Sequence, residues 1–343
     1  MNLRELSEKL GLSQTTVSRA LNGYPEVSDA TRRRVVEAAA QHNYRPSSRA
    51  KSLATGRSMA IAHVIPVPAR HEMVNPVFAD FIAGASDVYA QSGYDMLLSV
   101  ADDGDEEAIY RDLASRRSVD GVIVHAPRVD DARLQLLLSL GLPFVVHGRF
   151  GNATEGYSWL DMNNRRAFAR ATRFLTDLGH RRIALVNGVA DMDFAARRAD
   201  GYSGALDDVG IAADPALLLH GEMTEHHGYR SAHDLLAGVD PPTAFLASSL
   251  IIAIGIRRAC EEAGLTLGRD VSLVTHDDDL SYFRNGTDEA IYTALRSPVR
   301  EHGTLCARML LQLVADPGTT PMTRLLEAEL RVGHTTGPAP RDR

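Results

Sequence analysis

The sequence predicts a small all-α head joined to a larger α/β body built of two doubly wound lobes. Three observations carry that prediction. Apolar residues in the first 45 positions recur at helical spacing, in short segments broken by Gly11 and by Asn22 and Gly23. A polar, basic stretch, "NYRPSSRAKSLATGRS", then separates these segments from the rest. From residue 59 onward, apolar runs of four to seven residues alternate with amphipathic segments of ten or more, the pattern of βαβ units and a parallel sheet. With 343 residues, two or three domains are expected. The predicted division is a head over 1–45, a hinge helix and linker over 46–58, and a body over 59–343. Within the body, the first lobe is expected over about 59–160 and 291–320, and the second over about 161–290 and 321–335.

In the head, Leu3, Leu6 and Leu10 lie on one face of a first helix, and Gly11 supplies the left-handed turn that ends it. Ser13 is an N-cap for a second helix running to Leu21, with Val17, Ala20 and Leu21 as its buried stripe. Ser28 caps a third, where Val35, Val36 and Ala39 face inward. Two helices joined by a tight glycine turn make a helix-turn-helix, whose second helix enters the major groove of DNA. This second helix is an odd one. Thr15, Thr16 and Val17 are poor helix formers, and the surface is spent on Ser13, Gln14, Thr15, Thr16, Ser18 and Arg19. Gln14, Thr15 and Arg19 share one broad face. Gln binds adenine bidentately and Arg binds guanine bidentately, while hydroxyls at a helix start bond phosphates. Taken by themselves, the same residues also suit an ordinary solvated helix face.

Charge separates the two parts. Residues 1–57 hold 10 basic against 5 acidic side chains, leaving 27 against 39 in the rest of a chain whose net charge is -7. A basic head on an acidic body fits a polyanion-binding module attached to one with another task. Cys260 and Cys306 form neither a disulfide framework nor a metal-ligand spacing. No apolar run is long enough to span a bilayer and no signal peptide is recognisable, so a cytoplasmic chain with no membrane partner is expected. There is no P-loop, no G-x-S-x-G elbow and no G-x-G-x-x-G opening a helix after a strand. Neither enzymatic activity nor a cofactor is expected.

The body opens with the strand "MAIAHVIPV" and the helix "NPVFADFIAGASDVYAQSG". The strands "YDMLLSV", "VDGVIVHA" and "PFVVHG" follow, separated by helices over roughly 105–117 and in "DARLQLLLSLG". The alternation restarts at "NRRAFARATRFLTDLG" and continues to "DVSLVTHDDD". Two such halves imply a cleft, with ligand groups at the carboxyl ends of the strands. His276 beside three aspartates does not make a metal site, because neighbours at a strand end point apart.

The stretch from Leu12 to Ser58 resembles the DNA-binding head and hinge of the LacI/GalR family of bacterial repressors. Its marks here are T-V-S-R-x-L-N-G, V-S-x-x-T-R-x-x-V, and N-Y-x-P followed by L-A-x-G. The body carries further marks in "NPVFADFIAG", "VDGVIV", "LGHRRIALVNG" and "RRADGYSGAL". The resemblance implies a periplasmic-binding-protein-like body, a homodimer, double-stranded operator DNA as partner and a small effector, usually a sugar. By position, Gln14, Thr15 and Arg19 correspond to base-reading residues. Ser13, Thr16, Ser18, Asn22, Ser28 and Thr31 correspond to backbone contacts. Leu53, with Ala50 beside it, corresponds to the hinge wedge pushed into the minor groove. Without the resemblance, Leu53 reads as packing of a small hinge helix.

For the effector, the resemblance points to Asn75, Phe78, Asp161, Arg198 and Asp277, with Asp278 or Asp279 left for a capping turn. His147 and Arg149 end a strand facing the cleft. Trp159, the single tryptophan, either stacks on a sugar ring or packs at the lobe crossover. One departure stands out. Where the family reads A-N-D-x-x-A-x-G, this chain has "SSLIIAIG", with Ser249 for the Asn and Leu250 for the Asp. The wording of "PFVVHGR", "GEMTEHHGYR" and "THDDDLSYF" resembles the branch that controls α-glucoside use. Two alternatives stay open: a sugar receptor without a transcriptional role, and a regulator with a non-sugar co-repressor.

Overall fold

The computed structural model describes residues 1–21, 23–44, 56–66, 76–101, 106–153 and 155–340. The expected positions Asn22, Ala50, Leu53 and Asn75 lie outside the described residues. The chain divides into two units, Met1–Met59 and Ala60–Arg343.

The first unit holds α1 (Leu3–Leu10), α2 (Gln14–Leu21) and α3 (Asp29–Gln41). Asn2 and Glu5 form a reciprocal capping box at the start of α1. Gly11, at φ 62°, ends it, with its N–H on Glu8 O at 3.2 Å and the Leu12 N–H on Ser7 O at 3.0 Å. Leu6, Leu10, Val17, Ala20, Val27, Val35 and Ala39 close into one small core. Val36 does not join it and is 50% exposed. Val35 and Ala39 are four residues apart and stack on one face, whereas Val36 is a step of about 100° round the helix.

The second unit contains two six-stranded sheets. The first is built from β1 (Ala60–Pro66), β2 (Asp95–Ala101), β3 (Gly121–Val124), β4 (Phe144–His147), β5 (Ser158–Met162) and, after a long excursion, β11 (Thr323–Leu326). Its order is β11-β5-β4-β3-β1-β2, all parallel. The second holds β6 (Ile183–Asn187), β7 (Leu218–His220), β8 (Ala244–Ala247), β9 (Ser272–Asp277), β10 (Thr293–Arg296) and β12 (Glu329–Arg331), in the order β12-β10-β9-β8-β6-β7. Only β12 runs antiparallel, against β10.

Helices cover both faces of each sheet. The first carries α4 (Pro76–Ser92), α5 (Glu106–Arg116), α6 (Arg133–Leu140) and α11 (Val299–Ala315). The second carries α7 (Asn164–Asp177), α8 (Asp193–Asp207), α9 (Glu225–Leu236) and α10 (Leu250–Glu262). Successive strand residues feed opposite cores, as a pleated strand requires. Ala62, Val122 and Val146 pack in one layer, Ile61, Ile123 and Val145 in the other.

The lobe boundaries differ from those expected. β10 pairs with β9, so residues 293–296 belong to the second lobe. β11 pairs with β5, so residues 323–326 belong to the first. The chain therefore crosses between sheets three times, after β5, after β10 and after β11. The short β5, β7, β10, β11 and β12, and the helix α11, are elements the sequence reading did not mark individually. Among the described residues no helix is long and apolar enough to cross a membrane.

Three helix pairs touch backbone to backbone through glycine. A Cβ on Gly303 would collide with the Phe81 carbonyl, and one on Gly84 with the Arg300 carbonyl, between α4 and α11. Gly228 and Gly255 do the same between α9 and α10, and Gly201 of α8 sits on the Arg165 carbonyl of α7. Helix propensity alone would favour Gly303→Ala by about 1 kcal/mol. The collision outweighs it, because a helix backbone cannot step aside. Overpacking of this kind typically costs about 1–3 kcal/mol. Gly303→Ala is expected to lower the urea midpoint of the body, measured by circular dichroism; an unchanged or raised midpoint would contradict the close packing.

Candidate functional site

On the head, the helix start decides what α2 presents. The Ser13 hydroxyl accepts from the Thr16 N–H at 3.0 Å and meets the Thr16 hydroxyl at 2.8 Å. Ser28 and Thr31 repeat this pairing at the start of α3, at 3.3 and 2.9 Å. Both helix N-termini are thus capped by hydroxyls, where anions are favoured. Gln14, Thr15 and Arg19 are exposed, Thr16 and Ser18 half-buried, and Val17 and Ala20 buried beneath them. The helix lies anchored on one side and leaves a polar, hydrogen-bonding face on the other. Arg34 holds the Leu10 carbonyl, and Arg32 the Tyr24 carbonyl at 2.9 Å, fixing α3 to the turns around it.

In the body, a cavity of about 630 Å³ opens at the carboxyl ends of the strands of both sheets. Phe78, Phe81 and Phe194 give it apolar walls, and His125, His147, Asp161, Arg198 and Asp278 give it polar ones. Arg198, on α8, is 6% exposed. Its Nε donates to Asn164 Oδ1 at 2.7 Å and its Nη1 to the Ser248 carbonyl at 2.6 Å. Phe168 and Phe194 each place a ring centroid 4.8 Å from its Cζ. Burial pulls its pKa down to about 10, against the opposing pull of Asp278 and Asp161, so it stays charged at neutral pH.

Asp161, next to the last residue of β5, accepts from Arg149 Nε at 2.7 Å and from Asn164 Nδ2 at 3.2 Å. Burial raises its carboxyl above the ordinary value, and Arg149 opposes this. Arg149 itself does not line the cavity; it lies over Trp159 at 5.2 Å. Trp159 is in the core of the first sheet, which decides its two readings in favour of packing.

Two further expectations are corrected by a single residue each. Asp277 was assigned to the cleft, but its Oδ1 accepts the Asp279 N–H at 2.8 Å and makes the capping turn. Asp278 lines the cavity instead and accepts from His276 Nε2 at 3.1 Å. Ser249 was also assigned there. It caps α10, accepting from Ile252 N–H at 3.2 Å, while Ser248 lines the cavity. Leu250, at the position of the family's usual aspartate, is buried in the second lobe's core.

Sequence reasoning missed His125, Asn164, Ser248, His276, Asp278 and His302 as lining residues. His125 directly follows β3 and His276 is one residue from the end of β9, so the strand-end rule, applied to every strand with a margin of one residue, would have found both. His302 comes from the first turn of α11, which no local signal ties to the cavity. Among the described residues no group of three metal-ligating side chains is placed to hold an ion.

The loop after β3 is held by one buried cation. Arg133 donates to the carbonyls of His125 and Ala126 at 3.1 and 3.0 Å, and pairs with Asp131 and Glu106 at 2.6 Å each.

A capped helix-turn-helix and a two-lobed body with a walled cavity define a ligand-responsive DNA-binding regulator. Residues 2–47 match the family described as bacterial regulatory proteins, lacI family, and residues 172–336 match the periplasmic binding protein-like domain. The HTH-type transcriptional regulator AglR of Rhizobium meliloti (strain 1021) is 42% identical over 340 residues, covering 99% of this chain and 95% of that one. The HTH-type transcriptional regulator CelR of Thermobifida fusca is 29% identical over 323 residues, 94% of each. Among solved structures, the lac repressor dimer bound to operator and the anti-inducer ONPF superposes with a TM-score of 0.81 at 25% identity, over 98% of this chain and 99% of that one. The CelR–cellobiose complex gives 0.72 at 27%, with the same coverage. The chain belongs to the LacI family of bacterial transcriptional regulators. It is a DNA-binding regulator and not an enzyme.

Removing the Arg133 side chain would leave Asp131 and Glu106 without their cationic partner and two carbonyls without its N–H donors, though Asp131 keeps two backbone N–H bonds. Breaking a buried ion pair from one side costs about 3–5 kcal/mol. Arg133→Ala is expected to lose stability of that order in denaturant titration, and a loss below about 1 kcal/mol would show that the loop is held by something else.

Proposed function

We propose that this regulator is a homodimeric repressor of a carbohydrate-utilisation operon, released from a pseudopalindromic operator by a small sugar of the α-glucoside class. The observation that carries the sugar reading is the cavity. Its aromatic walls suit the apolar faces of a pyranose, and Arg198, Asn164, His125, His147 and Asp278 offer the mixed donors and acceptors that hydroxyls require. A volume of about 630 Å³ is of the size that small-ligand sites have. A relative of similar fold has been solved with cellobiose, a disaccharide. The α-glucoside class rests on the wording of "PFVVHGR", "GEMTEHHGYR" and "THDDDLSYF".

In this reading Gln14, Thr15 and Arg19 contact base edges. Ser13, Thr16, Ser18, Asn22, Ser28 and Thr31 grip the backbone, and Leu53 and Ala50 form the minor-groove wedge of the paired hinges. The second copy is supported by β2, an edge strand on which Leu97, Leu98 and Val100 are 38%, 47% and 47% exposed. The protein works in the cytoplasm, on the nucleoid when bound.

The test is a thermal-shift screen with maltose, trehalose, sucrose, glucose, cellobiose and ribose, followed by operator binding with the hit. A sugar at a hundredfold excess over its Kd stabilises by about 2.7 kcal/mol, enough to raise Tm by several degrees. An α-glucoside should give that shift and weaken operator binding. A shift from another compound alone would refute the sugar class, and tighter operator binding would refute release. For the head, Arg19→Ala is expected to cost about 1–3 kcal/mol on operator and to relax preference at one base pair. Equal weakening on random DNA, read by fluorescence anisotropy, would contradict base reading.

A further inference from the structure

On the first-sheet side of the cavity lie two short chains of hydrogen bonds, each made of a hydroxyl and two imidazoles. In one, the Tyr89 hydroxyl meets His63 Nε2 at 3.2 Å, and His63 Nδ1 meets His125 Nε2 at 3.0 Å. In the other, the Ser297 hydroxyl meets His302 Nε2 at 3.0 Å, and His302 Nδ1 meets His147 Nε2 at 3.4 Å, a weaker link. His125 and His147 line the cavity, while Tyr89, His63 and Ser297 do not. Tyr89 comes from α4, and Ser297 from the crossing between β10 and α11.

We propose that Tyr89 and Ser297 are positioning residues that fix the tautomers of His125 and His147, so that both imidazoles offer an N–H donor to the cavity. The inference rests on the reading of this cavity as the effector site. A neutral imidazole has one donating and one accepting nitrogen, so a chain of them has a direction. The hydroxyl at the end of each chain sets it. Tyr89 is 1% exposed and Ser297 3%, and among the described residues each hydroxyl has the imidazole as its hydrogen-bond partner. Leaving a buried hydroxyl proton unbonded is costly, so each hydroxyl donates. The neighbouring Nε2 must then accept and its Nδ1–H donate onward. His125 and His147 therefore accept at Nε2 and carry their proton on Nδ1, the ring nitrogen not spent on the chain.

The charge states agree with this. Burial pushes His63 down to about 3, and His302 to about 4. His147 is pushed to about 3 by burial and then by His302, with Asp278 opposing. His125 is held well below its ordinary value by burial, by His63 and His147, and by Arg133. Burial, with the Cys306 thiol nearby, raises the Tyr89 phenol, which stays protonated. All four rings are neutral near pH 7, so the position of the proton is what varies. Two N–H groups select ligand oxygens that accept, including ring and glycosidic oxygens, which cannot donate. Opposite tautomers would present two lone pairs and repel the same atoms.

The test is side-chain 15N NMR on the full-length protein with labelled histidine and no sugar present, assigned with single His→Asn variants. The expected spectrum shows pyrrole-like Nδ1 and pyridine-like Nε2 for His63, His125, His147 and His302. Pyrrole-like Nε2 at His125 or His147 would overturn the proposal. Tyr89→Phe should shift His63 and His125 toward mixed tautomers, and Ser297→Ala should do so for His302 and His147. Ser297→Thr, which keeps the hydroxyl, should restore the wild-type pattern. Unchanged tautomers in folded Tyr89→Phe and Ser297→Ala would remove both residues from this role. If either variant fails to fold, the wild-type spectrum still decides the tautomers. Because no sugar is added, failure here is separable from failure to find an α-glucoside.

Discussion

A parallel sheet points the carboxyl end of every strand to the same edge, and the working part of the body depends on that constraint. His125, His147, Asp161, Ser248 and His276 stand at, or one residue from, the last residues of β3, β4, β5, β8 and β9, and each lies at the cavity wall. The backbone at such an edge has lost its ladder partners, so its polar groups are free to hold side chains or ligands. Three crossings between the sheets bring two such edges to one cavity. The glycine contacts between helix pairs keep the covering layers close, and the helices α4, α8 and α11 add Phe78, Phe81, Phe194, Arg198 and His302 to the wall.

Charge is then distributed with unequal freedom. Burying an unpaired ion costs several kcal/mol, so most cationic groups near the cavity are already matched. Arg149 is bound to Asp161, and Arg133 to Asp131 and Glu106. Arg198 is different. It leans on a carbonyl, an amide oxygen and two aromatic faces, with no carboxylate in direct contact among the described residues. Two of its five N–H donors are used in those bonds, which leaves donors for ligand oxygens. Polarity in the cavity is thus held ready by neutral partners, at a smaller cost than a fully compensated pair would exact in lost ligand contacts.

How much of this was legible depended on the range of the signals. The head is written in local ones. Gly11, Ser13 and Ser28 are caps and turns acting over three or four residues, and each sits where the spacing placed it. Val36 failed because the inward stripe of its helix runs through Val35, Ala38 and Ala39, and Val36 lies about 100° round from Val35, past the edge of that stripe. The cavity errors are of the same size. Asp277 for Asp278 and Ser249 for Ser248 are each displaced by one, and at a strand end one residue reverses the face. Composition marks the cluster but cannot choose its pointing member; the turn closed by the Asp279 N–H does that. The fold class survived because alternation of strands and helices averages over many residues. The boundaries of the lobes did not, since β10 and β11 are four residues each and pair only through contacts distant in sequence.

The rims of the two lobes meet through a few bonds. The Val129 N–H reaches the Asp191 carbonyl at 2.9 Å, and the Asp193 N–H the Pro127 carbonyl at 3.0 Å. Arg128 pairs with Asp191 at 3.2 Å, but the two side chains are 42% and 52% exposed. Exposed pairs contribute about 0–1 kcal/mol. A second contact between the lobes is made by the loop after β9, which inserts Leu280 into the first lobe's core and bonds Ser281 to Asp80 at 2.8 and 2.5 Å. Leu280 and Asp80 are 2% and 6% exposed, so this contact is better shielded from solvent than the Arg128 pair, although Ser281 itself is exposed. A ligand can shift the lobes only by the difference in its affinity for two arrangements. With one contact weak and the other better shielded, a difference of a few kcal/mol acts on the weak one first. Arg128, Asp191 and Met192 on that rim also line the cavity, so a ligand seated there touches the weak contacts directly.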